Sequence, residues 1–408
     1  MNLSNQSKSA VVVSLDGLRP STLGPYGNSW VDTVNFSRLA AESQFFEQCF
    51  VDCSNPENYF RSLLLGIHES SDDANVEHLV DKIGNGGQET ILMTTDLSTS
   101  SELVNDHFDQ VVEVELPKVE RLAPDLESTQ LALFFAEAVR LIERIDSPTL
   151  LWLDCNSLTQ AWDAPYEYRQ HLADEEDPAP PEIFIPSDLE FNPSVDDPDQ
   201  LLGYQQAYGA QVLLLDQFLG VLMEQLDEST WAQDALFCLV GHRGYPLGEH
   251  GVVGFYRPLL YNELTHVPMM FRWPEHRTIG LRSQSLVQPA ALYQALSDWF
   301  GCAGAEQTAF DRRMVPDLRE RDAIVSVCYS EFANYQAIQT QGWKFVDGAK
   351  QQLFVRPDDG WEINEVGSLC PAIVDELSGL LSTGITRLAA GKTLLEHELP
   401  DHLAFGLE

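Results

Sequence analysis

The sequence predicts an α/β protein with a mostly parallel central sheet, followed by a small antiparallel sheet with a helix. Three observations support this prediction. Apolar strands alternate with amphipathic helices up to about residue 310, polar residues directly follow several of these strands, and shorter strands with tight turns follow residue 310. The 408 residues, 44% of them hydrophobic, suffice for one large core and a smaller appended unit. We therefore predict an α/β domain at residues 1–310 and an α+β subdomain at residues 311–408.

The first half of the chain shows the expected alternation of strands and helices. Leu131, Phe135 and Ala138 recur at helical spacing, whereas Val11, Val12 and Val13 form a short continuous apolar run typical of a buried strand. The pattern predicts strands at 10–15, 90–94, 111–114 and 150–153 and helices at 33–43 and 128–145. The segment "SLLLG" at 62–66 is also typical of a helix packed behind an active site.

The second half contains an insertion and then resumes the alternation. Residues 161–199 are rich in proline and acidic residues, which predicts a surface insertion. A long helix at 199–226, strands at 235–240 and 267–271, and a helix at 285–300 complete the predicted α/β domain. The subdomain is predicted to contain strands at 323–328, 335–340, 343–346 and 352–355 and a closing helix at 371–381.

The charge balance is strongly acidic. The chain has 24 Lys and Arg against 63 Asp and Glu, a formal net charge of −39. Such a field opposes binding to nucleic acid and to anionic membranes, which depend on clustered basic residues. No apolar run approaches the roughly 20 residues that a membrane span needs. Seven irregularly spaced cysteines and an N-terminus without a signal-peptide pattern predict a reduced, cytoplasmic protein.

Several polar residues lie at the predicted carboxyl ends of strands. Asp16, Asp96, Asp154 and His242 each follow or end a strand pattern. Ligands of open parallel sheets bind beyond these strand ends. We expect these side chains to form one polar site.

Three motifs, in the same order along nearly the whole chain, carry a family resemblance. They are "VVVSLDGLRPSTLGPYGN" with "DTVNFSRLAAESQFFEQCF", then "LVGHRGYPLGEHGVVGFYRPLLYNELTHVPMMFRWP", and finally "QGWKFV" with "QQLFVRPDDGWEINEVG". The chain resembles sulfatases of the alkaline-phosphatase-like superfamily. The resemblance implies a three-layer α/β domain and a smaller C-terminal subdomain. It also implies hydrolysis of sulfate esters by a formylglycine beside a divalent cation, usually calcium.

The resemblance also shows where this chain departs from the family. Aligning Ser62 to Gly66 with the family's Ser-Leu-Leu-Thr-Gly places Pro56 at the modified cysteine and Phe60 at the arginine of the Cys-x-Pro-x-Arg motif. Proline has no nucleophilic atom. Cys53 is a weak alternative because it lacks proline and arginine at the required offsets, and we interpret it as a buried thiol.

The metal ligands are altered as well. The family commonly has two adjacent aspartates after its first strand, whereas Asp16 is followed here by Gly17. The family's late Asp-His or Asp-Asn pair corresponds to His242 and Arg243. Calcium prefers oxygen ligands, so Asp16 and His242 are weak metal candidates. We hypothesise that Arg243 forms a structural ion pair with Asp16 in place of the cation.

Other candidate residues around this site are weak. Asp154 stands where the family often has a sulfate-binding histidine, and Arg257 lies near the family's substrate-binding lysine. His250, in "GEHG", is a weak catalytic candidate within a loop motif that mainly has a structural role.

These features favour a pseudoenzyme with a binding or regulatory role and no cofactor. Its expected partners are a small anion, a second copy of the chain or a related chain. The first alternative is an active sulfuric or phosphoric ester hydrolase with a divergent site around Asp16, His242 and His250, and with calcium if the family site is intact. A second alternative, compatible with the eight tryptophans, is an acidic carbohydrate-binding or scaffold protein.

Overall fold

A computed structural model describes residues 8–72, 76–97, 104, 106–255, 259–274, 280–302, 323–329 and 334–406. The first ten strands are β1 (Ala10–Leu15), β2 (Gln44–Cys49), β3 (Glu89–Thr94), β4 (Gln110–Glu113), β5 (Thr149–Cys155), β6 (Leu189–Glu190), β7 (Leu236–Gly241), β8 (Val252–Val253), β9 (Met269–Arg272) and β10 (Leu281–Val287). Eight of them form the central sheet, in the order β10-β2-β9-β7-β1-β5-β3-β4. In this sheet β9 runs antiparallel to both of its neighbours, and the other pairs are parallel. The strands β6 and β8 form a separate antiparallel pair.

The helices of the main domain are α1 (Val34–Glu42), α2 (Pro56–Leu65), α3 (Leu79–Asn85), α4 (Gln130–Arg144), α5 (Tyr166–His171), α6 (Pro198–Glu228), α7 (Asn262–Thr265) and α8 (Ala290–Phe300). Residues of α1, α4 and α6 pack with Val11 and Val13 on one face of the sheet. Residues of α2, α3 and α8 pack with Val12 on the other face. The alternation along β1 therefore divides the core into two layers around the sheet.

The C-terminal subdomain is a four-stranded antiparallel sheet with a covering helix. Its strands are β11 (Ala323–Tyr329), β12 (Asn334–Thr340), β13 (Trp343–Asp347) and β14 (Gln351–Val355), and its helices are α9 (Pro371–Ala389) and α10 (Asp401–Ala404). Ile373, Leu377 and Leu381 of α9 pack against the sheet. The subdomain meets the main domain through backbone hydrogen bonds, since Val327 N–H donates to the Asp52 carbonyl at 2.8 Å.

The predicted fold class is confirmed, with corrections to individual elements. The strand β2 was not predicted, and α9 extends beyond the predicted end at residue 381. The helix predicted from 285 was wrong in its first part, because residues 285–287 belong to β10 and α8 begins only after Pro289. Proline suits the start of a helix because it lacks the amide hydrogen that the helix interior needs. The domain boundary predicted at 310 lies outside the described residues.

The predicted surface insertion is not entirely on the surface. Its first residues are buried, among them Trp162, and Arg169 of α5 is fully buried as well. Arg169 donates to the backbone carbonyls of Trp162, Pro181 and Ile183. Arg169 thus ties separate parts of the insertion to one another. No helix in the described part of the chain has the length and apolarity to cross a membrane.

Candidate active site

The polar site forms where β5, β1 and β7 end side by side. In the sheet register Ser14 lies opposite Asp154 on one side, and Leu15 lies opposite Gly241 on the other. The backbone continues this pairing past the strand ends, because His242 N–H donates to the Leu15 carbonyl at 2.9 Å. The sheet topology therefore brings Asp16, Asp154, His242 and Arg243 to one edge, although they are far apart in sequence. Asp96 was also expected to join them, and its backbone N–H donates to the Thr94 hydroxyl at 3.2 Å.

A bidentate ion pair joins Arg243 to Asp16. Arg243 Nε lies 3.0 Å from Asp16 Oδ1, and Nη2 lies 3.2 Å from Oδ2. Thr159 Oγ1 is a further 3.1 Å neighbour of Oδ2. The guanidinium carbon lies 3.6 Å from the ring centre of Phe255, within cation–π distance. Both oxygens of this buried carboxylate are therefore occupied by one planar cation.

The pair keeps the Asp16 carboxylate ionised. Burial alone would raise the pKa of Asp16, but the charge of Arg243, and secondarily that of His242, outweighs burial and lowers the pKa below its ordinary value. A buried charge of this kind is stable only while it is paired. Arg243 thus supplies the positive charge that Asp16 requires.

Asp154 and His242 form a second buried pair beside the first. His242 Nε2 lies 2.9 Å from Asp154 Oδ1, without the alignment of a hydrogen bond. Ser14 Oγ donates to Asp154 Oδ1 at 2.6 Å, and Thr94 Oγ1 donates to Oδ2 at 3.2 Å. Trp152 Nε1 in turn donates to Ser14 Oγ at 2.8 Å. The Asp154 carboxylate is therefore held by hydroxyl groups of the two neighbouring strands.

Aromatic side chains of α2 cover His242. The ring of Tyr59 stacks on the imidazole, with centroids 3.7 Å apart and an angle of 24° between planes. Phe60, which the sequence alignment places at the family's arginine, meets the same imidazole edge-on at 5.5 Å. Burial first, and then the charge of Asp154, raise the pKa of Tyr59 well above its ordinary value. The Phe60 position contributes an apolar contact and no cation.

The segment that would carry the nucleophile begins α2. Asn55 precedes the helix and Pro56 is its first residue, a position where proline is favoured. The side chains of Pro56 and Glu57 lie outside the described residues. Cys53 is buried, its sulfur accepts the Asn55 N–H at 3.4 Å, and burial raises the pKa of its thiol. A buried thiol with a raised pKa is a poor nucleophile.

Two acidic groups lie close to the start of α2. Glu69 N–H donates to Asp52 Oδ2 at 2.9 Å, and Asn58 Nδ2 donates to Glu69 Oε1 at 2.8 Å. Burial, and then the nearby Asp52 carboxylate, raise the pKa of Glu69 to about 7, although Arg61 acts in the opposite direction. The environment of this segment is therefore unfavourable to an additional negative charge.

His250 takes part in a junction between the loop after β7 and the C-terminal subdomain. Its Nδ1 lies 2.6 Å from Glu263 Oε1, and its Nε2 lies 3.0 Å from the Glu362 carbonyl oxygen. The ring stacks on Tyr261, with centroids 3.6 Å apart. Burial lowers the pKa of His250, but the hydrogen bond and charge of Glu263 outweigh burial and raise it above its ordinary value. Because both ring nitrogens face acceptors, the contacts described for His250 are those of an imidazolium.

The junction continues into the subdomain through a buried ion pair. Lys344 Nζ lies 2.8 Å from Glu362 Oε1 and 3.0 Å from Asn262 Oδ1. The "GEHG" motif therefore positions the subdomain, as expected for a structural loop. Arg257, the candidate anion-binding residue in the same region, lies outside the described residues.

The donors at the strand ends do not fit the family's calcium ion. Calcium takes six to eight oxygen ligands, whereas both Asp16 oxygens are bound by Arg243 and both Asp154 oxygens accept hydroxyl protons. At Gly17, the counterpart of the family's second aspartate, φ is +85° and an added Cβ would lie 2.7 Å from Thr159 Cγ2. An aspartate at position 17 would be strained in this backbone. The site is built around a guanidinium.

The comparisons with known proteins agree with this fold. The family model described as "Sulfatase" matches residues 8–302. The chain therefore belongs to the sulfatase family.

The individual relatives are distant. A protein described as "Sulfatase" from Formosa agariphila is 25% identical over 226 residues, which cover 53% of this chain and 43% of that protein. The match thus spans less than half of the relative's length. The crystal structure of a phosphonate monoester hydrolase from Agrobacterium radiobacter is 16% identical, with a TM-score of 0.75 and coverage of 96% and 97% of the two chains. A protein solved with its substrate D-glucosamine-2-N,6-O-disulfate is 14% identical, with a TM-score of 0.73 and coverage of 96% and 100%. At these identities the two structures establish the shared fold.

Sequence reasoning did not identify several side chains of the site. Thr159, Phe255 and Tyr59 contact the polar residues. Phe255 lies within a recognised motif and Tyr59 within the segment aligned with the nucleophile motif, but neither was singled out there. Tyr59 and Phe60 follow the expected nucleophile position in α2. This pair of aromatic residues was the sequence feature that could have indicated an apolar cover over the site.

We expect the Arg243–Asp16 pair to show a large energetic coupling. Arg243→Met leaves a buried carboxylate unpaired and should lower the free energy of unfolding by about 3–5 kcal/mol. The same substitution in an Asp16→Asn background should cost much less, because no charge is left unpaired. Urea unfolding of the four proteins measures the coupling energy.

The pair Arg140–Glu137 is the matched control. It lies on the surface of α4, with 62% of the Arg140 side chain exposed. Arg140→Met and Glu137→Gln should couple by about 0–1 kcal/mol. If the Arg243 and Asp16 substitutions were additive within about 0.5 kcal/mol, the buried pair would not have the proposed role.

We also expect Glu69 to make stability depend on pH. Its folded pKa of about 7 exceeds its ordinary value of 4.5, so the folded state retains a proton that the unfolded state has lost. The contribution of Glu69 to the free energy of unfolding is complete below pH 4.5 and is lost as the pH rises through about 7. Glu69→Gln should therefore flatten the decline of the urea midpoint across this window. Glu143→Gln, at an exposed position of α4, removes a charge without burial and should leave the decline unchanged. Identical pH profiles of wild type and Glu69→Gln would refute the assignment.

Proposed function

We propose that this protein is a non-catalytic member of the sulfatase family, a pseudoenzyme that retains the fold for a binding or regulatory role. The bidentate Arg243–Asp16 pair is the observation that carries this proposal. The guanidinium is permanently charged and has no acceptor atom, so it neither coordinates a cation nor leaves Asp16 available to do so. Both residues of this pair are among those that the structure describes.

The residues at and near the expected nucleophile position support the proposal independently. Sulfuryl transfer through a covalent intermediate needs an activated nucleophile. The helix α2 begins with Pro56 at the expected position, and the thiol of the nearby Cys53 is buried with a raised pKa. Tyr59, next on the helix, has a strongly raised pKa and donates its hydroxyl proton to the Gly241 carbonyl. None of these three groups supplies an anion that could attack sulfur.

The local charge also disfavours a sulfate ester. Arg243 is neutralised by Asp16, while Asp154, Asp52 and Glu69 contribute acidic groups around the strand ends and the start of α2. The disulfated glucosamine bound by the structural relative is an anion. A net charge of −39 further favours a neutral or cationic small ligand over the small anion that the sequence suggested.

The alternative of a divergent hydrolase has less support. It requires Asp16, His242 and His250 to act on one substrate. Asp16 is bound by Arg243, His242 lies beneath Tyr59 and Phe60, and the described contacts of His250 join it to Glu263 and Glu362. Each of these side chains already has a structural role. A homo-oligomer, or an oligomer with a related chain, remains our proposal for the partner.

Hydrolysis assays with the full chain test the proposal. We expect 4-nitrophenyl sulfate and 4-nitrophenyl phosphate to be hydrolysed no faster by wild type than by Asp16→Asn, with or without added calcium. We also expect added calcium to leave the melting temperature unchanged, because Arg243 binds both carboxylate oxygens of Asp16.

A sulfatase with an intact formylglycine motif, assayed in parallel, is the positive control. Turnover by wild type that needs a divalent cation and is abolished by Asp16→Asn would overturn the proposal. Turnover that persists in Asp16→Asn and in Arg243→Met but is lost in His250→Gln would also overturn it, in favour of a different site.

A further inference from the structure

We propose that His78, Asp81 and His107 form a binding site for a transition-metal ion of the zinc type, separate from the strand-end site. One ligand atom from each of these residues lies within 4.8 Å of the others. In the described part of the chain this is the group of three His, Cys, Asp or Glu residues that meets that distance. The site shares no residue with the family's catalytic positions.

The three residues come from two segments of the chain, the start of α3 and the connection before β4. His78 caps the N-terminus of α3, and Asp81 lies three residues later on the same helix. His107 belongs to the connection that leads into β4, which pairs with β3 at the edge of the central sheet. Residues three apart on a helix are neighbours on its surface. The third ligand therefore comes from a segment distant in sequence, as in many sites that fasten a loop to a helix.

The contacts already resemble a ligand set. His107 Nδ1 lies 2.9 Å from both oxygens of Asp81. The imidazoles of His78 and His107 lie face to face, with centroids 3.8 Å apart and planes 5° from parallel. His78 is 4% exposed, whereas Asp81 and His107 are partly exposed. One ligand is thus fixed in the interior and the other two face solvent, which gives an ion a path to the site.

The donor chemistry selects the class of ion. Two imidazole nitrogens and one carboxylate oxygen suit zinc, and also nickel and copper, whereas calcium and magnesium require mostly oxygen ligands. Three protein ligands leave a coordination position for water. Zinc also tolerates the tetrahedral arrangement that three converging side chains and one water provide.

Binding requires the side chains to rearrange and some of their present contacts to be replaced. A metal ion lies in the plane of each imidazole that binds it, so one of the two parallel rings must tilt. The ion replaces the proton between His107 and Asp81, and it competes with the Val80 N–H that donates to His78 Nδ1 at 3.3 Å. Because the ligands must be deprotonated, binding should weaken as the pH falls. The bound ion would join α3 to the connection before β4.

Titration of the untagged full chain with cobalt(II) and zinc(II) tests this proposal. We expect one equivalent of cobalt to give the visible d–d absorption of a site with nitrogen ligands, zinc to displace it, and zinc to raise the melting temperature. His107→Gln and Asp81→Asn should each abolish the absorption and the shift in melting temperature. Both residues are partly exposed, so the apo variants should keep the circular dichroism spectrum of wild type.

His402→Gln provides the matched control. His402 Nε2 lies 3.1 Å from Glu376 Oε2, a similar histidine–carboxylate contact that belongs to no group of three ligands among the described residues. The His402→Gln variant should bind cobalt as wild type does. No saturable binding by wild type, or an absorption that survives in His107→Gln and Asp81→Asn, would overturn the proposal. Cobalt bound only by carboxylates of this acidic surface would give an absorption that survives in both variants.

Discussion

The bidentate ion pair between Arg243 and Asp16 determines what the strand-end site can do. Parallel strands that end side by side place an aspartate carboxylate at a buried edge, where an unpaired charge is very costly. Arg243 supplies the opposite charge from within the chain, and Phe255 covers its outer face. A divalent cation could satisfy the same carboxylate, but it would bring open coordination positions with it. The guanidinium brings none, so the Asp16 carboxylate is neutralised without a ligand.

The surrounding residues are consistent with this replacement. Gly17 has a left-handed backbone and too little space for a second aspartate, Phe60 packs on His242, and the Asp154 carboxylate is held by the hydroxyl groups of Ser14 and Thr94. Each of these positions is stabilised by contacts of its own. The loop that contains His250 meanwhile keeps its role of joining the subdomain to the main domain. A member of the sulfatase family thus has an internal ion pair at the end of its central strands.

The sequence predicted the fold well wherever the pattern was strongly periodic. The long helix α6 and the run of valines in β1 were clear because their burial is regular, and the order of motifs identified the family. The strand β2 was missed since its polar residues Gln44, Glu47 and Gln48 interrupt the apolar pattern. Asp16, Asp154, His242 and Arg243 could be placed at strand ends from sequence alone. Thr159, Tyr59 and Phe255 could not, because their positions depend on loop and helix packing that no local pattern encodes.

Crystals grown with a high concentration of calcium test the central claim most directly. The ion, if bound at the strand ends, would lie beside Asp16 and would force the Arg243 side chain out of its present place. We expect electron density for the bidentate pair with both distances near 3 Å, as found here, and none for an ion coordinated by Asp16. A calcium ion in the coordination sphere of Asp16, with Arg243 displaced, would contradict the claim that this edge of the sheet is closed to a cation.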